Sequence, residues 1–79
     1  MSEHEEDFED LLKFLKIGLK YNICYDKKEF ENDEWTTIEI RKIVDNEVVV
    51  YRTKKFKNYG IGYLTVFKEM YEKDWIEIA

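Results

Sequence analysis

The chain has 79 residues, of which 44% are hydrophobic and 16% aromatic, so it can build one domain with a packed core and does not read as disordered. Its formal net charge of −5 argues against a dedicated duplex-binding protein, because such proteins neutralise phosphates with an excess of bases. The single cysteine excludes an internal disulfide and no apolar run has the length of a membrane span, so we expect one domain, residues 1–79, in the cytoplasm, or in the host cytoplasm if the chain is viral.

The first predicted element is an amphipathic helix over residues 3–19. Apolar side chains recur in it with the helical period, at Phe8, Leu11, Leu12, Leu15 and Leu19. Ser2, three residues before Glu5, forms a capping-box pattern, and acids precede lysines in the order that suits the helix dipole. We therefore expect this helix to pack on a sheet through one apolar side.

Residues 20–26 are predicted as a strand, and residues 27–34 as a loop. Apolar residues alternate with smaller or polar ones from Tyr21 to Tyr25, which is the pattern of a strand with one buried side. The run that follows, KKEFENDE, is polar and charged apart from one phenylalanine, and such a composition is typical of a solvated loop.

A β-hairpin is predicted from residues 35–44 and 47–56, joined by a two-residue turn at Asp45–Asn46. That turn places opposite each other Trp35 and Phe56, Glu39 and Arg52, Ile40 and Tyr51, and Ile43 and Val48. One side of the hairpin then carries Ile38, Ile40, Val49 and Tyr51. The other side carries Trp35, Ile43, Val48, Val50 and Phe56. One side should cover the helices, and the other should meet a further element or form an exposed patch.

Residues 63–73 are predicted as a second helix, because apolar residues from Tyr63 to Tyr71 recur with helical spacing. The start of this segment is also β-prone, so a strand over residues 61–67 is the alternative. The last residues, WIEIA, alternate and could form a short final strand. The sequence thus predicts an α+β fold of order αβββα, an N-terminal helix, a three-stranded antiparallel meander and a C-terminal helix, with a possible final strand.

The stretch YRTKKFKNYGIGY, residues 51–63, interleaves bases with aromatic rings in an otherwise acidic chain. Rings that stack on nucleobases and cations that follow phosphates are the requirements of a single-stranded nucleic-acid site. The residues that would supply them are Arg52, Lys54, Lys55, Phe56, Lys57 and Tyr59. The alternative is that the lysines protect a sheet edge from pairing with other chains.

The segment YGIGYLTVF, residues 59–67, overlaps the end of this stretch and resembles the aromatic–glycine ribonucleoprotein motif of RNA-recognition domains. The motif's positions are matched by Gly60, Gly62, Tyr63 and Leu64. Tyr59 stands where that family has a base, and Ile61 replaces a base-stacking ring. The predicted order of elements also differs from that family, so neither its fold nor its function is carried over. The two glycines are predicted to serve turns, since no Gly-Lys-Ser/Thr follows to complete a phosphate-binding loop.

The chain lacks the combinations of residues that catalysis commonly requires. His4, Ser2 and Cys24 are the single histidine, serine and cysteine of the chain. A nucleophile–base pair or a structural zinc site would require more of them, and the acids of residues 31–34 lack the glycine and spacing of a calcium loop. We therefore expect no enzyme, no catalytic residue, no metal and no cofactor. Cys24 is predicted to be a small buried hydrophobic residue.

The first functional hypothesis is a small protein-binding inhibitor or regulator with an acidic and aromatic surface. The acidic candidates are Glu3, Glu5, Glu6, Asp7, Glu9, Asp10, Glu31, Asp33 and Glu34. Their carboxylates could occupy the basic groove of a partner that normally holds nucleic acid. In size and acidity the chain is similar to inhibitors that phages and viruses encode, anti-CRISPR proteins among them, with no shared motif. The alternatives are the nucleic-acid-binding module and a homodimer closed over the second sheet face.

Overall fold

The computed structural model describes residues 8–53 and 59–79, and these residues form an α+β fold. Within them, five strands form one antiparallel sheet: β1 (Lys20–Ile23), β2 (Thr36–Val44), β3 (Val48–Thr53), β4 (Tyr59–Tyr63) and β5 (Ile76–Ile78). The helices are α1 (Glu9–Phe14), α2 (Lys27–Glu31) and α3 (Leu64–Glu72). The strand order is β4-β3-β2-β1-β5, so β4 and β5 form the edges. The predicted class is confirmed, but the sheet has five strands instead of three.

Helix α1 is shorter than the predicted helix over residues 3–19, and it ends at Phe14. Leu15, which follows it, has extended angles of φ −82° and ψ 115°. Gly18 then adopts φ +90°, a left-handed conformation that glycine reaches without the steric penalty of a Cβ atom. Its N–H donates to the C=O of Ile40 at 2.7 Å, so the chain leaves the helix and begins to extend the sheet.

The early end of α1 divides the predicted apolar stripe. The stripe residues that contact the core are Phe8, Leu11, Leu12 and Leu15. Leu19 is 42% exposed because it lies in the extended link to β1. The predicted capping pattern of Ser2 and Glu5 lies outside the described residues.

Helix α2 occupies the run that was predicted as a loop, and the strand predicted over residues 20–26 ends at Ile23. Asp26 caps the helix, since its Oδ1 accepts a hydrogen bond from the N–H of Glu29 at 2.9 Å. The carboxylate of Glu29 in turn accepts the N–H of Tyr25 at 2.7 Å. An Asp followed three residues later by a Glu is the sequence signal for such a start.

The β2–β3 hairpin confirms the centre of the predicted register, in the pairs Glu39–Arg52 and Ile40–Tyr51. The predicted turn residues, Asp45 and Asn46, have φ +53° and +51°. Positive φ at both central residues is the geometry of a tight turn whose twist suits a hairpin.

Near the turn the predicted register is wrong, because Ile43 lies opposite Val49 and not opposite Val48. Glu47 stays in the loop, where its N–H donates to the C=O of Val44 at 2.9 Å. A β-bulge at Arg41 takes up the residue that β2 then has in excess. The two irregularities together restore the predicted pairing farther from the turn.

One face of the sheet is covered by α1 and α3 and forms the core. Its most buried strand residues are Tyr21, Ile23, Ile38, Ile40, Val49 and Ile76. From the helices, Leu11, Leu64, Phe67 and Met70 pack against them. The hydroxyl of Tyr21 donates to the C=O of Phe14 at 2.7 Å, and the two rings lie 5.3 Å apart, which fixes the end of α1 on β1.

Two residues lie on the opposite side from the prediction. Ile43 packs against the core, because the bulge at Arg41 shifts the alternation of the residues that follow it. Trp35 precedes β2 and also packs partly against the core, with its ring 5.9 Å from that of Phe30. Phe56, the predicted partner of Trp35, lies outside the described residues.

The C-terminal segment forms the predicted helix, and of the rival strand over residues 61–67 only residues 61–63 are extended. Strand β4 ends at Tyr63, which is also the N-cap residue of α3, and the helix begins at the next residue. The helix predicted over residues 63–73 is therefore confirmed, and the strand that precedes it ends before the rest of the rival segment. The final strand, β5, is present as well. In the described parts of the chain, every helix is too short or too polar to cross a bilayer.

Candidate binding surface

The second face of the sheet, here called the open face, lies opposite the helices. Ladder pairs set its side chains in four rows across the strands. The rows are Tyr63–Val48–Val44, Ile61–Val50–Lys42, Tyr59–Arg52–Glu39–Lys20 and Thr37–Asn22–Glu77. Apolar side chains therefore gather at the β4 end of the open face, and charged ones toward its middle.

The apolar patch, as we call it, consists of Val44, Val48, Val50, Tyr59, Ile61 and Tyr63. Its three residues from β4, Tyr59, Ile61 and Tyr63, are 62%, 71% and 64% exposed. The valines are half-buried beside them. Large apolar side chains that stand this far out of one strand are unusual in a monomer surface, and contiguous patches of this kind mark interaction sites.

Gly60 and Gly62 explain why β4 presents its large side chains outward. A Cβ atom on Gly60 would lie 2.7 Å from Cε1 of Tyr51, and one on Gly62 would lie 2.9 Å from Cε1 of Phe67. Both glycines therefore let the strand lie directly on two core rings, whose centroids are 6.0 Å apart. The prediction that these glycines serve turns is wrong, because they lie within β4.

The basic-aromatic stretch is divided between the two faces of the sheet. Tyr51 is only 8% exposed and belongs to the core, whereas Arg52 and Tyr59 lie directly opposite each other on the open face. The other predicted nucleic-acid contacts, Lys54, Lys55, Phe56 and Lys57, lie outside the described residues. Of that candidate site, the structure brings together one cation and one ring.

The hydroxyl of Tyr51 lies 3.0 Å from that of Tyr25, which ties the loop before α2 to β3. Burial, and to a smaller extent this hydrogen bond, raise the pKa of the Tyr25 phenol above its ordinary value. The phenol therefore stays protonated at neutral pH and acts as a structural hydrogen-bonding group.

The described acidic candidates lie in α1, in α2 and in the loop after α2, and none is in a strand of the sheet. Glu9 and Asp10 are in the first turn of α1, where Glu9 forms an exposed ion pair with Lys13 at 3.2 Å. Glu31 ends α2, 3.8 Å from Lys27. The predicted acids that lie outside the described residues are Glu3, Glu5, Glu6 and Asp7.

The acids after α2 also serve local structure. Oδ1 of Asp33 accepts the indole N–H of Trp35 at 2.8 Å. Oε1 of Glu34 accepts a hydrogen bond from the side-chain amide of Asn32 at 3.1 Å. Helix and loop stabilisation therefore accounts for much of the acidic pattern seen in the sequence.

Cys24 is fully buried, as the sequence predicts, and its Sγ lies 3.7 Å from the C=O of Glu34. Burial raises the pKa of its thiol, and nearby carboxylates, of which Glu29 is the strongest, raise it further. A protonated, inaccessible thiol is a poor nucleophile. Within residues 8–53 and 59–79, no three His, Cys, Asp or Glu side chains converge in a way that could hold a metal ion.

The sequence interpretation placed Val48 and Val50 on the second face, but it did not name Ile61 and Tyr63 among the contacts of the stretch 51–63. Both were missed because the helical spacing that begins at Tyr63 took precedence over the alternation of Tyr-Gly-Ile-Gly-Tyr. That alternation has the period of a strand and is the signal that could have found them. Comparison of the chain with protein-family models, with curated proteins and with solved structures finds no match.

Proposed function

We propose that the chain is a small, non-enzymatic regulator that binds a protein partner through the open face. The observation that carries this proposal is the apolar patch, with Tyr59, Ile61 and Tyr63 between 62% and 71% exposed. Tyrosine is enriched at the centres of protein interfaces, where its ring supplies contact area and its hydroxyl a hydrogen bond. The polar half of the open face would form the rim of such an interface.

The partner that fits best is a basic protein, because the chain carries a net charge of −5. Long-range attraction of this kind governs the association rate, whereas a buried apolar contact governs the dissociation rate. The described acids of α1 and α2 would thus steer the encounter, and the apolar patch would hold the complex. An inhibitor of a nucleic-acid-binding protein, of the type that phages and viruses encode, has this combination and is the specific role we propose.

The decisive variant is Val50→Glu. Val50 lies opposite Lys42, so the new carboxylate gains a favourable cross-strand partner and the sheet should keep its stability. It also sets a charge in the middle of the apolar patch. Ile78→Glu is the matched control, because Ile78 is 60% exposed on the other edge strand, in a row with the core residue Tyr21.

The experiment is affinity capture from the cells that express the chain, followed by titration of the purified partner by calorimetry. We expect Val50→Glu to weaken binding at least tenfold, and Ile78→Glu to bind like the wild type. Equal affinity for the wild type and Val50→Glu would remove the open face from the interaction. Neutralising Glu9, Asp10, Glu31, Asp33 and Glu34 should slow association and flatten its salt dependence.

A second candidate function is single-stranded nucleic-acid binding, and the opposed pair of Arg52 and Tyr59 favours it. A ring beside a cation on an open sheet can stack on a base while the cation contacts a phosphate. Anisotropy of a labelled single-stranded oligonucleotide tests it at about 150 mM salt, where weak electrostatic binding is largely screened. We expect no micromolar binding. If such binding occurs and Arg52→Glu abolishes it, this second function replaces the first.

A further inference from the structure

The edge strand β4 has a sequence that reads the same in both directions, Tyr59-Gly60-Ile61-Gly62-Tyr63. An antiparallel partner strand runs in the opposite direction. A second copy of this strand, centred on the same Ile61, therefore places identical residue types opposite each other. Tyrosine would meet tyrosine, glycine would meet glycine, and isoleucine would meet isoleucine. Such self-complementarity is the requirement of a two-fold symmetric contact.

The hydrogen bonds between β4 and β3 show which backbone groups of β4 point away from β3, toward the open edge of the sheet. The N–H of Leu64 donates to the C=O of Glu47 at 2.9 Å, and this pair continues the β3–β4 ladder. Hydrogen-bonded pairs alternate along an antiparallel ladder, so Gly62 and Gly60 also direct their N–H and C=O groups toward β3. Tyr59, Ile61 and Tyr63 consequently direct theirs toward the outer edge, away from β3.

Strand β4 also carries none of the features that keep a sheet edge from pairing. Proteins protect such edges with lysine, proline, a bulge or an inward-pointing charge. Tyr59–Tyr63 contains no charged residue and no proline, and its pairing with β3 is continuous. The lysines that the alternative interpretation assigned to edge protection, Lys54, Lys55 and Lys57, lie outside the described residues.

We propose that two copies of this chain pair through β4, antiparallel about a two-fold axis at Ile61, and form one continuous sheet. Ile61 would exchange both backbone hydrogen bonds with Ile61 of the partner subunit. The N–H of Tyr63 would donate to the C=O of the partner's Tyr59. The C=O of Tyr63, as the N-cap group, accepts the first hydrogen bond of α3, so about four intermolecular bonds form in all.

Side chains support the same pairing. Tyr59, Ile61 and Tyr63 lie on one face of the sheet, so the tyrosines form cross-strand aromatic pairs beside the central pair of isoleucines. The glycines lie on the other face, where they add no bulk between the two helical layers. The apolar patches of the two copies become one continuous surface. The proposed partner protein could bind to the patch of either copy.

This inference goes beyond the proposed function, because its occupant is a second copy of the chain and its contact is the strand edge. It also differs from a dimer closed face to face over the sheet. The two can be separated, since Val50→Glu alters the open face and leaves the outward backbone groups of β4 unchanged.

The first test is the mass of the purified full chain by light scattering. We expect a species of twice the 9.7 kDa chain mass at about 100 µM, with dissociation on dilution. Ile61→Pro removes the outward N–H at the symmetry axis without removing a bond to β3, and proline is tolerated at such edge positions. We expect Ile61→Pro to be a monomer, Ile61→Val to remain a dimer, and Val50→Glu to remain a dimer.

The second test fixes the register and does not depend on the folding of the proline variant. In the proposed dimer the Cα atoms of the two Ile61 residues are about 5.5 Å apart, which is within disulfide range. Ile61→Cys should therefore give a covalent dimer under mild oxidation. Tyr59→Cys should not, because its two copies lie about 14 Å apart along the strands. The wild type, with only the buried Cys24, is the control.

Four results would overturn the proposal. The wild type could be a monomer at this concentration, or Ile61→Pro could dimerise as the wild type does. Tyr59→Cys could cross-link as fast as Ile61→Cys, which would mean another register. A dimer that Val50→Glu abolishes would instead be the face-to-face dimer, and it too would contradict the edge pairing.

Discussion

The absence of a Cβ atom at Gly60 and at Gly62 determines how β4 packs on the core. The two glycines let β4 lie on the rings of Tyr51 and Phe67, and this contact turns the three large residues of the strand toward solvent. The candidate surface therefore depends on small residues that belong to the opposite face. The residues that orient a binding surface can therefore lie on the opposite face of the same strand.

Substituting either glycine with alanine should destabilise the fold. We expect Gly60→Ala and Gly62→Ala each to cost about 1–3 kcal/mol, because the new methyl group must displace a packed ring. Urea denaturation measures the change, and Thr65→Ala, at an exposed position of α3, is the control. A higher midpoint for Gly62→Ala would mean that the loss of unfolded-state entropy outweighs the contact with Phe67.

The raised pKa of Tyr25 predicts a pH dependence of stability. Its phenol keeps its proton in the folded chain above pH 10.0, the ordinary value at which the unfolded chain loses it. The folded state then binds more protons than the unfolded state, so this contribution is fully present below that pH and is lost as the pH rises. The free energy of unfolding should fall more steeply above pH 10.0 in the wild type than in Tyr25→Phe. Parallel curves for the two proteins would contradict the assignment.

Among the elements, α2 depends most on its cap, because none of its residues is buried. We expect Asp26→Ala to cost about 1 kcal/mol and to increase hydrogen exchange at the amide of Glu29. Asp26→Asn is the control, since asparagine caps a helix about as well as aspartate. If Asp26→Ala left both the denaturation midpoint and the exchange rate unchanged, packing by Phe30 would be holding α2 in place.

The elements also show where sequence patterns suffice. Strands β2 and β3 and helix α3 were predicted because their own residues carry the pattern: β-branched alternation in the first two, helical spacing in the third. The ends of elements were harder. After α1 ends at Phe14, the chain is held by the hydrogen bond from Gly18 to Ile40, a contact between distant parts of the chain. No local pattern records that bond.

The candidate site was predictable to a smaller degree. Arg52 and Tyr59 were proposed together, and the ladder does set them opposite each other. Only part of the apolar patch was predicted. Which β4 residues belong to it depends on which face of β4 contacts Tyr51. The bulge at Arg41 moved Ile43 to the core for a similar reason, since it responds to a turn whose loop length the sequence does not specify.

At the scale of the whole molecule, one core cluster joins residues from the first and the last elements. Leu11 of α1 and Ile76 of β5 both belong to it. The chain should therefore unfold in a single cooperative step, in which far-UV and near-UV circular dichroism report the same midpoint.

Leu11→Ala should lower that common midpoint, at a cost of about 2–5 kcal/mol, because Leu11 is 2% exposed and leaves a cavity. Lys13→Ala, two residues along the same helix, should change little, since the ion pair of Lys13 with Glu9 is exposed at the surface. Two separate transitions in either variant would mean that the helical layer and the sheet are independent folding units.

The junction at Tyr63, where a strand ends and a helix begins with no residue between them, has a mechanical consequence. No loop residue lies between β4 and α3 that could accommodate an insertion or a deletion. One residue inserted after Tyr63 would rotate all of α3 by about 100° and advance it by about 1.5 Å. Leu64, Phe67 and Met70 would then swing away from the sheet together. The orientation of α3 about its own axis is thus fixed by the side-chain alternation of β4. A partner that binds β4 would therefore also restrict the rotation of α3.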